Sequence, residues 1–329
     1  MLYGLLSEHF TDTIIVLIGA LSALFITFIL YIRPFGFLPR DGGKFVTDKD
    51  GKRVAINEKS AGKITGAGII FVPVFVICCF LFLPYSLELT LDLVLCLVMM
   101  IMGYVDDASK SPFGELVKGI MDLILAVLGG VVFVLFNPTI ISFFSAYIKI
   151  HPVVYVILAT ALIWGSINVT NCSDGVDGLC GGVTVVQLYA YILIFGSVLG
   201  VFSGVAIILA SVVLAYLTYN WFPSKVLMGD AGSRTIGFVL ALMAMKSIHP
   251  FIFVILSFVF LFDGGLGLVR LVLLRTIKKN IFPKIRFPFH DQLRKVKGWS
   301  VPKTALFFII AEVIFAGIAA GIMFLARTI

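Results

Sequence analysis

The stretch LDLVLCLVMMIMGYVDDASK (residues 91–110) is apolar for most of its length and then ends in two adjacent aspartates and a lysine. Its apolar part belongs to a run over 87–105, close to the ~20 residues a helix needs to cross a bilayer. Carboxylates at the end of such a run are costly near lipid and mark a functional site. The same construction recurs twice, in NVTNCSDGVDGL (168–179) and NWFPSKVLMGDAGS (220–233). Asp106, Asp107, Asp174, Asp177 and Asp230 thus sit among glycines and asparagines at the ends of hydrophobic runs, as expected of a site for a metal and phosphates at a membrane surface.

Working outward, the chain has 329 residues, of which 60% are hydrophobic and 13% charged. Soluble domains are nearer ~45–50% apolar and ~25% charged. Ten apolar segments tile the sequence: 11–32, 64–84, 87–105, 117–136, 152–167, 179–198, 202–219, 234–248, 251–274 and 302–326. They read as an all-α polytopic integral membrane protein of about ten transmembrane helices, forming one domain over 1–329. The runs are continuous, without the period-two alternation of an outer-membrane barrel. No basic n-region precedes the first run, which reads as a true span and not as a signal peptide. The five cysteines lack metal-site or disulfide spacing and read as small packing residues.

Orientation follows from the placement of lysine and arginine. The segment 33–63 holds eight of them and 270–303 holds ten, together 18 of the chain's 25. Both segments are expected on the cytoplasmic side. With ten spans these are the loops after the first and ninth helices, so their parity agrees and both termini fall outside. The same parity puts all three acidic motifs on the cytoplasmic face. The glycosylation patterns at Asn168 and Asn171 are then false matches.

Each motif suggests chemistry. On a helix end, Asp106 and Asp107 point roughly 100° apart, which suits two separate roles. Lys110 follows Asp106 by four residues and can share its face. Asp174 and Asp177, three residues apart, are expected to project to one side, with the backbone bared at Gly175 and Gly178 and with Asn168 and Asn171 a turn earlier. Gly229–Ser233 opens a helix, and backbone donors at a helix N-terminus favour anions. Magnesium takes few carboxylates and bridges substrate phosphates. Asp230 with Asp106 (or Asp107) meets that need. No His/Cys cluster suggests zinc, no phosphate-binding P-loop is present, and nothing points to nucleic acid. The last basic segment, PFHDQLRKVKGW (288–299), offers His290 beside cations able to hold a diphosphate. Asp263, inside the ninth run and followed by glycines, predicts a bent helix, with Arg270 on roughly the same face as a possible structural partner.

In order and spacing, DDASK, NVTNCSDGVDGL, GDAGS and the loop around His290 resemble the signatures of the polyprenyl-phosphate N-acetylhexosamine-1-phosphate transferases, and SAGKITGAGIIFV (60–72) is similar to the family's region after its first basic loop. The resemblance spans essentially the full chain. It implies ten transmembrane helices, a cytoplasmic site in a bacterial plasma membrane, Mg2+ and a homodimer. Lys110 at the fifth place of the first motif favours the branch that moves phospho-MurNAc-pentapeptide from UDP-MurNAc-pentapeptide to undecaprenyl phosphate, giving lipid I and UMP. On this resemblance Asp230 holds the metal with Asp106, and Asp106 orients or deprotonates the lipid phosphate. Asp107 assists at the metal or holds Lys110. Asp174, Gly175 and Asp177 contact the uridine, with Asn168, Asn171 and Asn220 nearby. Lys110, Lys118 and His290 neutralise phosphate charge. The chain departs from the family in two places. Leu227 stands where an aromatic residue often faces the base, and Asp291-Gln292 follow His290 where the family often has further histidines. A transferase using UDP-N-acetylglucosamine is the nearest alternative, and an ion-coupled transporter is an alternative of another class.

Overall fold

The computed structural model describes residues 2–32, 36, 38–40, 45–47, 53–55, 62–109, 113–143 and 146–328. Lys110 and most of the first basic segment lie outside the described residues. In chain order the elements are α1 (Leu2–Leu6), α2 (Asp12–Ile32), β1 (Phe45–Thr47), β2 (Arg53–Ala55), α3 (Gly68–Phe82), α4 (Leu87–Ala108) and α5 (Glu115–Phe136). Then come β3 (Ile140–Phe143), β4 (Ala146–Lys149), α6 (Pro152–Cys172), α7 (Leu179–Leu199), α8 (Val201–Asn220) and α9 (Gly229–Lys246). A broken stretch follows: α10 (Ile252–Leu256), α11 (Phe258–Phe260), a π-helical turn Leu261–Gly265 and α12 (Leu266–Thr276). The chain closes with α13 (Phe289–Asp291), a second π-helical turn Gln292–Val296 and α14 (Val301–Thr328).

Seven of these helices are long and apolar enough to cross a membrane: α2, α4, α5, α6, α7, α8 and 301–326 of α14. Three more segments occupy expected spans yet fall short for physical reasons. Helix α3 has only 15 residues, α9 carries Asp230, Arg234 and Lys246 within its 18, and the stretch from Ile252 to Thr276 is interrupted. The bend expected at Asp263 is the π-helical turn Leu261–Gly265. Its expected partner is corrected: Arg270 donates to Asn280 Oδ1 (2.9 Å) and the Ile285 carbonyl (2.7 Å), not to Asp263. Two small antiparallel hairpins add to the helical reading, β1–β2 with Phe45 opposite Ala55 and β3–β4 with Ile140 opposite Lys149.

Helix α9 is the hub. Every residue from Ala231 to Met245 is buried, packed among α3, α4, α6 and α7. Two glycines let its first turn come this close. A Cβ on Gly68 would lie 2.2 Å from the Gly232 nitrogen, and one on Gly103 would lie 2.4 Å from the Ala231 nitrogen. Small residues permit such backbone-to-backbone approach between membrane helices. At the other end of α9, Lys246 pairs with Glu88 Oε1 (2.6 Å) and Asn137 Oδ1 (2.8 Å), and its ammonium lies 4.0 Å from the Phe202 ring centre. That burial accounts for a lysine on the end of the bundle that is otherwise poor in positive charge.

Candidate active site

At the N-terminal end of α9, the C-terminal ends of α4, α6 and α8 meet the starts of α5 and α7. Asp106 and Asp107 close α4 and do point apart. Asp106 Oδ1 accepts the Phe113 N–H (2.7 Å), and its Oδ2 is ion-paired with Lys118 of α5. Asp107 Oδ2 instead accepts the Ala231 N–H (3.4 Å) in the first turn of α9. Asp230 lies between them. Its Oδ1 accepts from Asn171 Nδ2 (2.8 Å), and its Oδ2 faces Arg234 Nη2 (2.8 Å) and Lys118 Nζ (3.4 Å). One carboxylate oxygen each from Asp106, Asp107 and Asp230 lie within 4.8 Å of one another. An all-oxygen donor set of this kind suits a hard divalent cation such as Mg2+ and offers nothing to a thiophilic metal.

Residues 173–178 form turns and not the helical turn expected from their spacing. The two acids of this motif nevertheless reach one neighbour, the segment leading into α9. Asp174 Oδ2 accepts the Gly229 N–H (3.2 Å). Asp177 Oδ2 takes Lys63 Nζ (3.1 Å) and the Ser224 N–H (3.1 Å). Desolvation, then the negative charges of Asp107 and Asp230, hold the Asp174 carboxyl well above the usual carboxylate range. Asn171 also donates to Ser233 Oγ (2.9 Å), while Asn168, a turn back on α6, donates to the Trp164 carbonyl (2.8 Å). Asn220 spends its amide within the protein: Oδ1 accepts from Gly178 N (2.9 Å) and Nδ2 donates to the Val226 carbonyl (2.9 Å). It clips the second motif to the third. Leu227 meets the 64–67 segment through its backbone, its N–H on the Ile64 carbonyl (2.8 Å) and its own carbonyl accepting from Ala67 (3.1 Å).

His290 arrives from α13. It is 3% exposed, against 0% for its partner Asp263. Asp263 Oδ1 accepts the His290 backbone N–H (2.7 Å) and Oδ2 faces Nδ1 (2.8 Å). A carboxylate only accepts, so the proton of that ring contact sits on Nδ1. The other ring nitrogen is turned toward the second motif: a Cβ on Gly175 would lie 2.4 Å from Nε2. Asp291 and Gln292 fold the loop. Asp291 pairs with Lys295 (2.7 Å), and Gln292 Oε1 accepts the Arg286 N–H (2.8 Å).

Of the residues expected at the site, Asp106, Asp107, Lys118, Asn171, Asp174 and Asp230 form one connected cluster, with Gly175 and His290 beside it. Four others were missed by reading the sequence: Arg234, Asp122, Lys63 and Asp263 as the partner of His290. The four-residue steps Lys118–Asp122 and Asp230–Arg234 were the available signal, since residues so spaced share a helix face.

The apolar helices thus gather the acidic motifs at one end of the bundle, and residues 89–248 match the family model described as glycosyl transferase family 4, a class of transferase. The phospho-N-acetylmuramoyl-pentapeptide-transferase of Treponema pallidum is 33% identical to the chain over 332 residues, covering 94% of the chain and 90% of the relative. The enzyme of that name from Streptococcus pneumoniae (strain CGSP14) is 30% identical over 77% of the chain and 82% of its own length. That of Symbiobacterium thermophilum is 28% identical over 75% and 78%. The chain belongs to the phospho-N-acetylmuramoyl-pentapeptide-transferase family.

Proposed function

We propose that the protein transfers phospho-MurNAc-pentapeptide from UDP-MurNAc-pentapeptide to undecaprenyl phosphate, forming lipid I and UMP in peptidoglycan synthesis. The observation that carries this reading is the convergence of Asp106, Asp107 and Asp230 within 4.8 Å of one another, with Lys118 paired to Asp106 and Asp230. Both basic segments reach the same end of the bundle, Lys63 through Asp177 and His290 against Gly175. Positive loops favour the cytoplasmic side, which supports a cytoplasmic site in a bacterial plasma membrane, about ten spans and outer termini. The family resemblance supports a homodimer.

The reaction is an in-line displacement. A phosphate oxygen of the lipid attacks the sugar-bearing phosphorus of the diphosphate. A new P–O bond forms, the P–O bond to the uridine phosphate breaks, and UMP leaves with that bond's electron pair. Such transfers are catalysed mainly by positioning and charge neutralisation. Asp230, Asp106 and Asp107 would hold Mg2+, which supplies neutralisation of the diphosphate charge. Lys118, already between two carboxylates, is placed to move onto a phosphate oxygen once a cation satisfies them. His290, its Nδ1 proton held by Asp263, presents Nε2 toward Gly175 and adds an acceptor beside the second motif, which becomes a donor when the ring is protonated. Asn220, Asp177 and the Leu227 backbone position the segment that carries Asp230. Asp107 is held by backbone N–H groups of the first turn of α9 and has no ion-pair partner among the described residues, so its carboxylate faces the cluster without a cation of its own.

The test is UMP release by purified protein in lipid or detergent. UDP-MurNAc-pentapeptide with undecaprenyl phosphate should give UMP in the presence of Mg2+ and none with EDTA. Asp230→Ala should abolish release while the protein still folds. Preferential use of UDP-N-acetylglucosamine would overturn the substrate assignment, and full activity of Asp230→Ala would overturn the metal assignment.

A further inference from the structure

Helices α5 and α9 each present an acid and a base one turn apart, and the two pairs face each other with signs crossed. On α5 these are Lys118 and Asp122, and on α9 they are Asp230 and Arg234. Lys118 faces Asp230 at 3.4 Å, and Arg234 Nη1 faces Asp122 Oδ1 at 2.5 Å. Arg234 also reaches back along its own helix to Asp230 Oδ2 at 2.8 Å. The four groups differ in burial. The side chains of Arg234 and Asp122 are 6% and 5% exposed, whereas that of Lys118 is 23% exposed. Arg234 Nε has no partner among the described residues. A buried guanidinium held between two carboxylates is fixed in place, because removing either partner strands a charge away from water. A half-buried lysine on a flexible stem is free to change partners.

We propose that Asp122 and Arg234 form a brace that positions the Asp230 carboxylate for its cation, leaving Lys118 as the mobile cation of the cluster among the described residues. The brace adds no net charge of its own, since Asp122 balances Arg234. It fixes one edge of Asp230 through Oδ2 while Asn171 fixes the other through Oδ1, so the carboxylate plane is set from both sides. Arg234 and Asp122 act through Asp230 and are positioning residues. The proposal rests on the transferase reading for its biological meaning, but its physical content, cation binding at Asp230, can be measured without turnover.

The experiment is Mn2+ binding followed by electron paramagnetic resonance on full-length protein, alongside thermal unfolding and UMP release. Arg234→Leu alone strands Asp122, so the informative variant is Asp122→Leu/Arg234→Leu, in which apolar side chains replace the whole buried pair. Such replacements are commonly neutral or stabilising. Loss of an orienting partner behind a metal ligand typically costs about 10–100-fold in metal affinity or activity. The double variant should therefore unfold at or above the wild-type temperature, bind Mn2+ about 10–100-fold more weakly and lose kcat with little change in KM for the UDP-sugar. Arg234→Lys, a point charge able to serve one carboxylate at a time, should fall between the two. Mn2+ affinity within threefold of wild type in the double variant would overturn the brace, and so would a wild-type protein that binds no Mn2+. If the double variant does not fold, wild-type Mn2+ affinity in Arg234→Lys overturns it equally. Wild-type protein that binds Mn2+ with the expected variant losses, yet releases no UMP, leaves the brace standing and overturns the transferase reading instead.

Discussion

Replacing Asp263 by asparagine is the sharpest probe of the last loop. The carboxylate is fully buried and makes two contacts with one residue, the His290 N–H at 2.7 Å and Nδ1 at 2.8 Å. Asparagine has nearly the same shape and keeps an oxygen for the backbone N–H. Its amide cannot accept from Nδ1–H, so the ring must move its proton to Nε2 or turn away. A hydrogen bond to a charged group is worth about 1.5–3 kcal/mol net. If that energy serves to hold Nε2 in its working state and orientation, kcat/KM falls by about 10- to 150-fold. Asp263→Ala removes both acceptors and leaves two buried donors unpaired, which adds a loss of stability on the order of 2–5 kcal/mol. The assay is UMP release across a range of UDP-sugar concentrations, with thermal unfolding of each variant in parallel. The expected pattern is a stable, slow asparagine variant and an unstable alanine variant. An asparagine variant within twofold of wild-type kcat/KM would show that the Asp263–His290 couple only folds the loop.

Two further outcomes are expected. In Gly175→Ala the new methyl would sit 2.4 Å from His290 Nε2, so the ring is displaced; kcat should drop at least tenfold (the order expected for a displaced acid–base or donor group), whereas a kcat within twofold of wild type would mean that Nε2 has no part in turnover. In Lys63→Met the pairing with Asp177 is lost; because the lysine side chain is 27% exposed, the stability change should stay within about 1 kcal/mol, while the looser 62–66 segment raises KM for the UDP-sugar several-fold, and an unchanged KM would detach Lys63 from the substrate.

Much of the site was legible because its information is local. The order of apolar runs and basic loops put Asp106, Asn171, Asp174 and Asp230 at one end of a bundle, and there they meet. Gly229 to Ser233 opens a helix, as the glycine and small-residue spacing suggested. Lys118 was placed by the family resemblance and is the ion-pair partner of one acid of the first motif, Asp106, and of the third-motif Asp230. Less legible was anything needing knowledge of which helix faces which. Asp122 lies in an apolar run of α5 and Arg234 in the first two turns of α9, 112 residues apart in sequence. Only their shared contact with the neighbourhood of Asp230 gives either a purpose. Lys63 likewise reads as one more basic residue of a cytoplasmic loop until the fold brings it to Asp177.

The misplaced partner of Asp263 has a more specific cause. Seven residues is close to two turns of an α-helix, so Arg270 shares a face with Asp263 if the helix is regular. The π-helical turn Leu261–Gly265 breaks that regularity by inserting the equivalent of one extra residue, about 100° of rotation, between the segment before it and α12 after it. Arg270 is carried round to the 280–285 loop, and Asp263 turns to face His290. A π-bulge weakens local helical bonding and is found most often at functional sites. Here it releases a buried carboxylate from its own helix and gives it to a residue 27 positions later. The glycines after Asp263 therefore mark more than a bend: they are the sequence trace of a rephased helix, and any pairing inferred across them by counting turns will be off by that one residue.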